Sequence, residues 1–548
     1  MDKQCVAKRT WKNVWACVAG SRELLLVPLI AAIAIADMSQ GLAAQRSVFQ
    51  MVAVFSVFMS LFCAPMFLFG RFCRFFYYLL FAVYLPAVVV CLYVDRMFGI
   101  GPGKEMIAIV RNSSWNEIKS FVSIFADGWS VVSVLVASAV LAILLYATYR
   151  ITRKIRQSKC KIAVGLALAA VFALYMSTYG KISMEVNMPT FNFLMTVFSD
   201  GDKYEKMAAM KLYPEIPGEI VPAEGYDNCI GVFVLGESAT RNHWSLYGYG
   251  RGTTPRMDAI KGELAIFTDV VTPAPSTALA MEYILTTATV ENPEDFRYTL
   301  PQAMAKCGYY VPLYTAQEKW SDFGGGHISV FEGFCEEPLV FAGCEPMVYL
   351  SEDMSGSSMH KDDELLPIVD GFLKSNGRRT IFLHLMGSHT DFKDRYPDGF
   401  ATFQPVAGEQ GKPKILKTHE YDNSILFTDY VLGEIIDRLK KKGGLSWMVY
   451  LSDHGETPGK IMRTRSDRNL WEVPMIIWFS DEYKRVHPEV VAAVAAATKC
   501  PLQSDQFLQG ILRIAGITPA SPQEDFTDKR FKPRAQRKIN CGKDVYKR

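Results

Sequence analysis

Three apolar runs in the second half of this chain each end in side chains that can bind a metal or move a proton. CIGVFVLG is followed by Glu237, RTIFLHLMG by Ser388 and His389, and WMVYLS by Asp453 and His454. Carboxylate oxygens and imidazole nitrogens are ligands suited to zinc and related divalent ions, and a site that keeps one position open is the catalytic kind. The adjacent pair Asp453-His454, directly after an apolar run, is the strongest single element of this pattern. A metal there would activate a hydroxyl by lowering its pKa, which suits phosphoryl or sulfuryl transfer. The segment TPAPSTALAMEYILTT offers Ser276 or Thr277 at the start of a helix. Free N–H groups and the helix dipole favour a phosphate at such a position.

For these residues to meet, the runs that carry them must be neighbouring strands. From about residue 225 onward short β-rich runs alternate with helical ones, which predicts an α/β fold with a mainly parallel central sheet. In such sheets chemistry collects at the carboxyl ends of the strands, where all three candidate groups stand.

The first part of the chain has a different character. Of the 548 residues 50% are hydrophobic and 21% charged, and the apolar ones concentrate before about residue 180. Five apolar segments, at 23–40, 49–70, 75–94, 128–148 and 162–179, are each close to the roughly 20 residues that cross a bilayer. The expected organisation is a transmembrane domain of five helices over residues 1–180, a linker with bridging helices over 181–224, and a catalytic domain over 225–548. Lys3, Lys8, Arg9 and Lys12 precede the first segment, Arg71 and Arg74 join the second to the third, and Arg150, Arg153, Lys154, Arg156, Lys159 and Lys161 join the fourth to the fifth. All three groups fall on one side, which is the cytoplasmic one. Five crossings then place the catalytic domain outside the cytoplasm, where disulfides form. The loop between the third and fourth segments carries RNSSWNEIKSF, whose pattern predicts a short helix capped by Ser113 or Ser114 with Glu117 in its first turn, either a plain surface loop element or a lid between membrane and catalytic domain. A net charge of +3, without Lys/Arg clusters interleaved with aromatics in the second half, argues against a nucleic-acid partner.

GESATRNHWSLYGYGRGTTP, PSTA, MGSH and SDHGE, in this order behind five apolar segments, together with YDNSILFTDYVL at 421–432, resemble the phosphoethanolamine transferases. Those are bacterial inner-membrane enzymes with a periplasmic catalytic domain of the alkaline-phosphatase and sulfatase superfamily. They modify lipid A or lipopolysaccharide core, and some confer polymyxin resistance. The resemblance implies a zinc shell of Glu237, Thr277, Asp453 and His454, with Thr277 as nucleophile and His389 as a further active-site residue. It implies phosphatidylethanolamine as donor, a ping-pong course through a phospho-threonine, and a lipopolysaccharide or lipid A acceptor; a monomer is expected. The SLYGY and TTP wording is closer to the branch that decorates core sugars. Two departures stand out. The stretch TPGKIMRTRSDRNLWEVP lacks the histidine that the lipid A branch carries shortly after SDHGE, which leaves a second metal or substrate contact unsupported. The cysteine pair flanking the nucleophile is also missing, and Cys335 and Cys344 are the pair that best matches a family disulfide.

Two rival readings are a glycerol phosphate transferase that uses phosphatidylglycerol, and a membrane-anchored relative that has lost the chemistry. The topology follows from charge placement and is testable by itself. A reporter active only outside the cytoplasm should be on when fused after residue 200 and off when fused near Arg153. The reverse pattern would put the catalytic residues in the wrong compartment.

Overall fold

A computed structural model of the chain describes residues 21–38, 48–98, 128–155, 157–187, 190, 193–194, 215–317, 348–350, 360–406, 408–409, 412–459 and 467–547. The loop with Ser113, Ser114 and Glu117, the cysteines Cys335 and Cys344, and the basic residues before the first apolar segment lie outside them. The chain forms two compact units, whose described residues fall within 21–194 and 215–547.

In the first unit every apolar segment falls in a helix: Val27–Met38 after a short turn, Val48–Leu68, Cys73–Leu79 continuing through a π turn into Leu85–Phe98, Gly128–Thr152 and Lys159–Asn187. Their apolar side chains face both ways. Phe58, Tyr77 and Phe81 are buried between helices, while Ile35, Phe75, Leu79, Ile143 and Leu174 are exposed. A helix apolar all round has no aqueous face, as expected for contact with lipid. Among the described residues one helical stretch, Gly70–Leu92, is long and apolar enough to cross a membrane, with mean hydropathy 2.3. Among the described residues of this unit no buried side-chain polar atom lacks a hydrogen-bond partner. Gln157 Nε2 donates to the carbonyls of Phe67 and Leu68 at 2.7 and 2.6 Å, closing the last turn of helix Val48–Leu68, whose terminal carbonyls have no partner within the helix.

The second unit is built on a seven-stranded sheet. In chain order the strands are β1 (Ile230–Gly236), β2 (Leu264–Phe267), β3 (Val270–Val271), β4 (Leu313–Thr315), β5 (Val348–Tyr349), β6 (Arg379–His384), β7 (Ser446–Ser452) and β8 (Met475–Phe479). β3 pairs elsewhere, and the others run in the order β2-β8-β7-β1-β6-β4-β5. Pairs from β7 to β5 are parallel; β8 is antiparallel to both β7 and β2. The mainly parallel sheet expected from the sequence is thus a mixed one with an antiparallel edge. The near-continuous apolar runs arise because both faces are covered. Phe233, Leu235, Val449 and Leu451 pack on one side with Leu279, Ile284 and Ile511, and Val232, Val234, Met448 and Tyr450 on the other with Ile425, Leu432 and Ile435.

Register is what aligns the chemistry. β1 lies between β6 and β7, with Gly236 opposite Ser452 and Leu235 opposite His384. The residues just beyond these tips, Glu237 and Asp453, therefore emerge side by side, where the strand order changes direction and ligand crevices form.

The glycines of β1 make room for rings on β7. A Cβ at Gly231 would stand 2.2 Å from the Trp447 ring and one at Gly236 would stand 2.3 Å from the Tyr450 hydroxyl. Gly231→Ala forces that ring or strand to shift, so thermal unfolding of the purified full chain should show a loss of about 1–3 kcal/mol. An unchanged midpoint would mean that the strand spacing is not fixed by this contact.

Candidate metal and transfer site

Glu237 is 1% exposed and its two oxygens serve different neighbours. Oε1 accepts from Ser238 Oγ at 2.6 Å and lies 3.4 Å from His454 Nε2. Oε2 accepts from Thr277 Oγ1 at 2.8 Å and from Gln317 Nε2 at 2.9 Å. Thr277 opens helix Thr277–Leu285, and its hydroxyl is also 3.4 Å from His454 Nε2. Ligand atoms of Glu237, Asp453 and His454 all lie within 4.8 Å of one another. Of the two hydroxyls left open by the sequence, Thr277 is the one brought onto this cluster. Ser276 Oγ is buried with no hydrogen-bond partner.

Local backbone geometry sets these directions. Ser238 adopts a left-handed conformation, φ 55°, which costs a non-glycine residue about 1–3 kcal/mol and persists only where surroundings hold it. The turn points the Ser238 N–H at Asp453 Oδ1, 3.0 Å away. Tyr421 on the long helix Pro413–Lys442 holds it there: its hydroxyl donates to the Ser238 carbonyl and accepts from the Thr240 N–H, both at 2.8 Å. On the same helix Asp422 accepts from Tyr249 and Arg251 and contacts His243 Nδ1 at 2.6 Å, while Asp429 accepts the N–H groups of Arg256 and Met257. The YDNSILFTDYVL motif is thereby the clamp for the loop that follows Glu237. Gly387, φ 50°, lets the turn after β6 approach, since a Cβ there would stand 2.8 Å from the Glu237 carbonyl.

Do these residues fit a cation? His454 Nδ1 lies 2.9 Å from the Gly455 carbonyl, which can only accept, so Nδ1 carries a proton, and a second proton, on Nε2, is the one a metal would displace. Asp453 Oδ2 is buried with no hydrogen-bond partner. Burial opposes ionisation of both carboxyls. At Glu237 contact with His454 and the charges of His454, His389 and His384 outweigh it and hold the pKa well below the usual range. Asp453 is pushed up, by burial first and then by the Glu237 charge. Two buried carboxylates with oxygens within 4.8 Å of each other cannot both ionise cheaply without positive charge between them. A divalent cation would supply that charge and give Asp453 Oδ2 a partner, so the donor set fits one.

His389 is half-buried in the turn after β6, and its charge reaches both Glu237 and His384. It is not among the three residues whose ligand atoms converge. Ser388 of the same MGSH turn accepts from Ser424 on the long helix at 2.8 Å. Gln317 and His384 escaped the sequence reading. Gln317 follows β4 in VPLYTAQ, another apolar run whose tip could have been inspected, whereas His384 is hidden inside RTIFLHLMG.

The profile of the family described as Sulfatase matches residues 230–517. Phosphoethanolamine transferase EptC of Escherichia coli is 28% identical over 275 residues, 47% of this chain and 46% of that protein, so the match spans about half the curated relative's length. The C-terminal periplasmic domain of EcEptC from Escherichia coli, in complex with Zn, superimposes with a TM-score of 0.52 at 24% identity, covering 60% of this chain and 94% of that one. The integral membrane protein lipooligosaccharide phosphoethanolamine transferase A (EptA) from Neisseria meningitidis gives 0.58 at 17% identity, covering 91% and 98%. At these identities the two structures establish likeness of fold.

If Asp453 and His454 are ligands, full chain purified in detergent should retain zinc through desalting, and Asp453→Ala or His454→Ala should lose most of it. Equal metal content in the parent and both variants would place the ligands elsewhere.

Proposed function

The chain belongs to the sulfatase family, and from that premise we propose that it transfers phosphoethanolamine from phosphatidylethanolamine to lipopolysaccharide, on a core sugar or lipid A. The observation that carries this reading is the Thr277 hydroxyl on Glu237 Oε2, facing His454 at the meeting point of the strand tips. Glu237, Asp453 and His454 would hold zinc, with Thr277 as the fourth ligand. When bound, zinc supplies the positive charge that lowers the hydroxyl pKa and offsets charge on the phosphoryl oxygens.

The residues divide the work. Glu237 Oε2 orients the Thr277 hydroxyl and takes up its hydrogen bond. Thr277 Oγ1 passes its proton to Glu237 Oε2 and forms a bond to phosphorus as the bond from phosphorus to the diacylglycerol oxygen breaks, and His389 gives that oxygen its proton. An acceptor hydroxyl, on a sugar or a phosphate, then attacks the same phosphorus and gives its proton to His389, and Thr277 leaves, taking back the proton held on Glu237. The five apolar helices span the inner membrane, with the catalytic unit on the periplasmic side at lipid head-group level; the working unit is a monomer. The names of EptC and EptA support the transferred group, and the fold likeness over 91% of the chain supports the membrane arrangement.

Protein exposed to phosphatidylethanolamine without acceptor should gain one phosphoethanolamine on the peptide containing TPAPSTALAMEY, and Thr277→Ala should abolish both this adduct and acceptor modification. Phosphatidylglycerol should leave no adduct; a glycerol phosphate adduct would instead establish the rival donor. Full transfer by both Thr277→Ala and Ser276→Ala would end the covalent scheme.

A further inference from the structure

Gln317 is 6% exposed and stands at the tip of β4, two strands away from the nucleophile's carboxylate partner in the sheet order. Its side-chain nitrogen lies 2.9 Å from Glu237 Oε2, 3.1 Å from the Leu385 carbonyl and 3.0 Å from His384 Nε2. The first two atoms can only accept hydrogen bonds. The amide must therefore face them with its NH2 group, whichever way the ring of His384 is protonated. Those two bonds use both of its hydrogens. The main-chain N–H of Gln317 donates to Thr315 Oγ1 at 3.0 Å, which fixes the start of the side chain. Gln317 is thus held at both ends, its main-chain N–H by the Thr315 hydroxyl on β4 and its side-chain amide by the Leu385 carbonyl just past β6.

We infer that Gln317 is a positioning residue that fixes Glu237 Oε2 on the Thr277 hydroxyl and leaves Oε1 for the metal side of the cluster. The inference rests on the metal and nucleophile reading above and deepens it. The Glu237 carboxylate can turn about its last torsion, which would swing both oxygens off their partners. Ser238 Oγ on Oε1 and Gln317 Nε2 on Oε2 oppose that rotation from the two sides. The Gln317 N–H also sets a partial positive charge beside the oxygen that receives the Thr277 hydrogen bond. Removing the donor leaves a buried carboxylate oxygen and a buried carbonyl short of a partner, at the place where a ligand must be held still.

Gln317→Met keeps the volume and removes the donor. Full chain in detergent should unfold at nearly the parental temperature without metal, yet bind zinc, titrated against a competing chelator, about 10- to 100-fold more weakly, as loss of a carboxylate's supporting bond does elsewhere. With cobalt in place of zinc, its visible spectrum should shift, which simple loss of packing at an unliganded site would not cause. In transfer assays kcat should fall while KM for phosphatidylethanolamine holds, because Thr277 is misdirected and the lipid contacts remain. Gln317→Glu should be worse than Gln317→Met in zinc affinity, since it presents an acceptor to an acceptor. Zinc affinity and cobalt spectrum of Gln317→Met indistinguishable from the parent would overturn the inference while leaving the zinc site intact. A parent chain that binds no zinc would overturn both.

Discussion

Two buried carboxylates on adjacent parallel strands dominate this molecule. Glu237 and Asp453 are one residue beyond the paired tips of β1 and β7, and each is essentially without solvent. Water cannot screen them, and the histidines around them settle one charge but not both. Such an arrangement is expensive unless a cation or an exchanged proton relieves it. Much of the catalytic unit reads as structure that keeps the two groups from moving apart.

That structure is layered outward from the site. Ser238 is held in a left-handed turn, Tyr421 bonds the main chain on both sides of Ala239, and Asp422 and Asp429 fasten the following loop to one face of the long helix. On another side Glu472 accepts from Asn242 and Tyr546 and pairs with Arg241, while its carbonyl receives the Arg241 N–H. The neutral hydrogen bonds among these are each worth about 1 kcal/mol net, and those to a charged carboxylate about 1.5–3 kcal/mol. Together they over-determine a turn that would otherwise relax. Strain at Ser238 is tolerable because several elements share the task of holding it.

The first unit obeys a different rule. Its helices bury aromatic side chains against one another, yet leave other large apolar residues outward. In water that surface would be a liability; against lipid tails it is neutral, and packing and internal hydrogen bonds must then hold the helices together. Tyr77 donating to the Phe62 carbonyl, and Tyr84 with the Thr190 N–H on buried Asp37, are bonds of that kind.

What the sequence by itself determined was local: where strands and helices fall, because apolar runs and turn residues leave little choice, and which residue types stand at strand tips. The five apolar segments and the runs carrying Glu237, His389 and Asp453-His454 are legible because hydrophobic period and side-chain chemistry are written residue by residue. The resemblance then selected Thr277 over Ser276, which local pattern left open. Only tertiary structure decided which tips are neighbours, because register across β6, β1 and β7 depends on pairing between segments more than a hundred residues apart. For the same reason His384 was invisible: an imidazole inside an apolar run carries no local mark of function, whereas Gln317 stands at the tip of one, and both acquire a role only when the folded sheet sets them against Glu237.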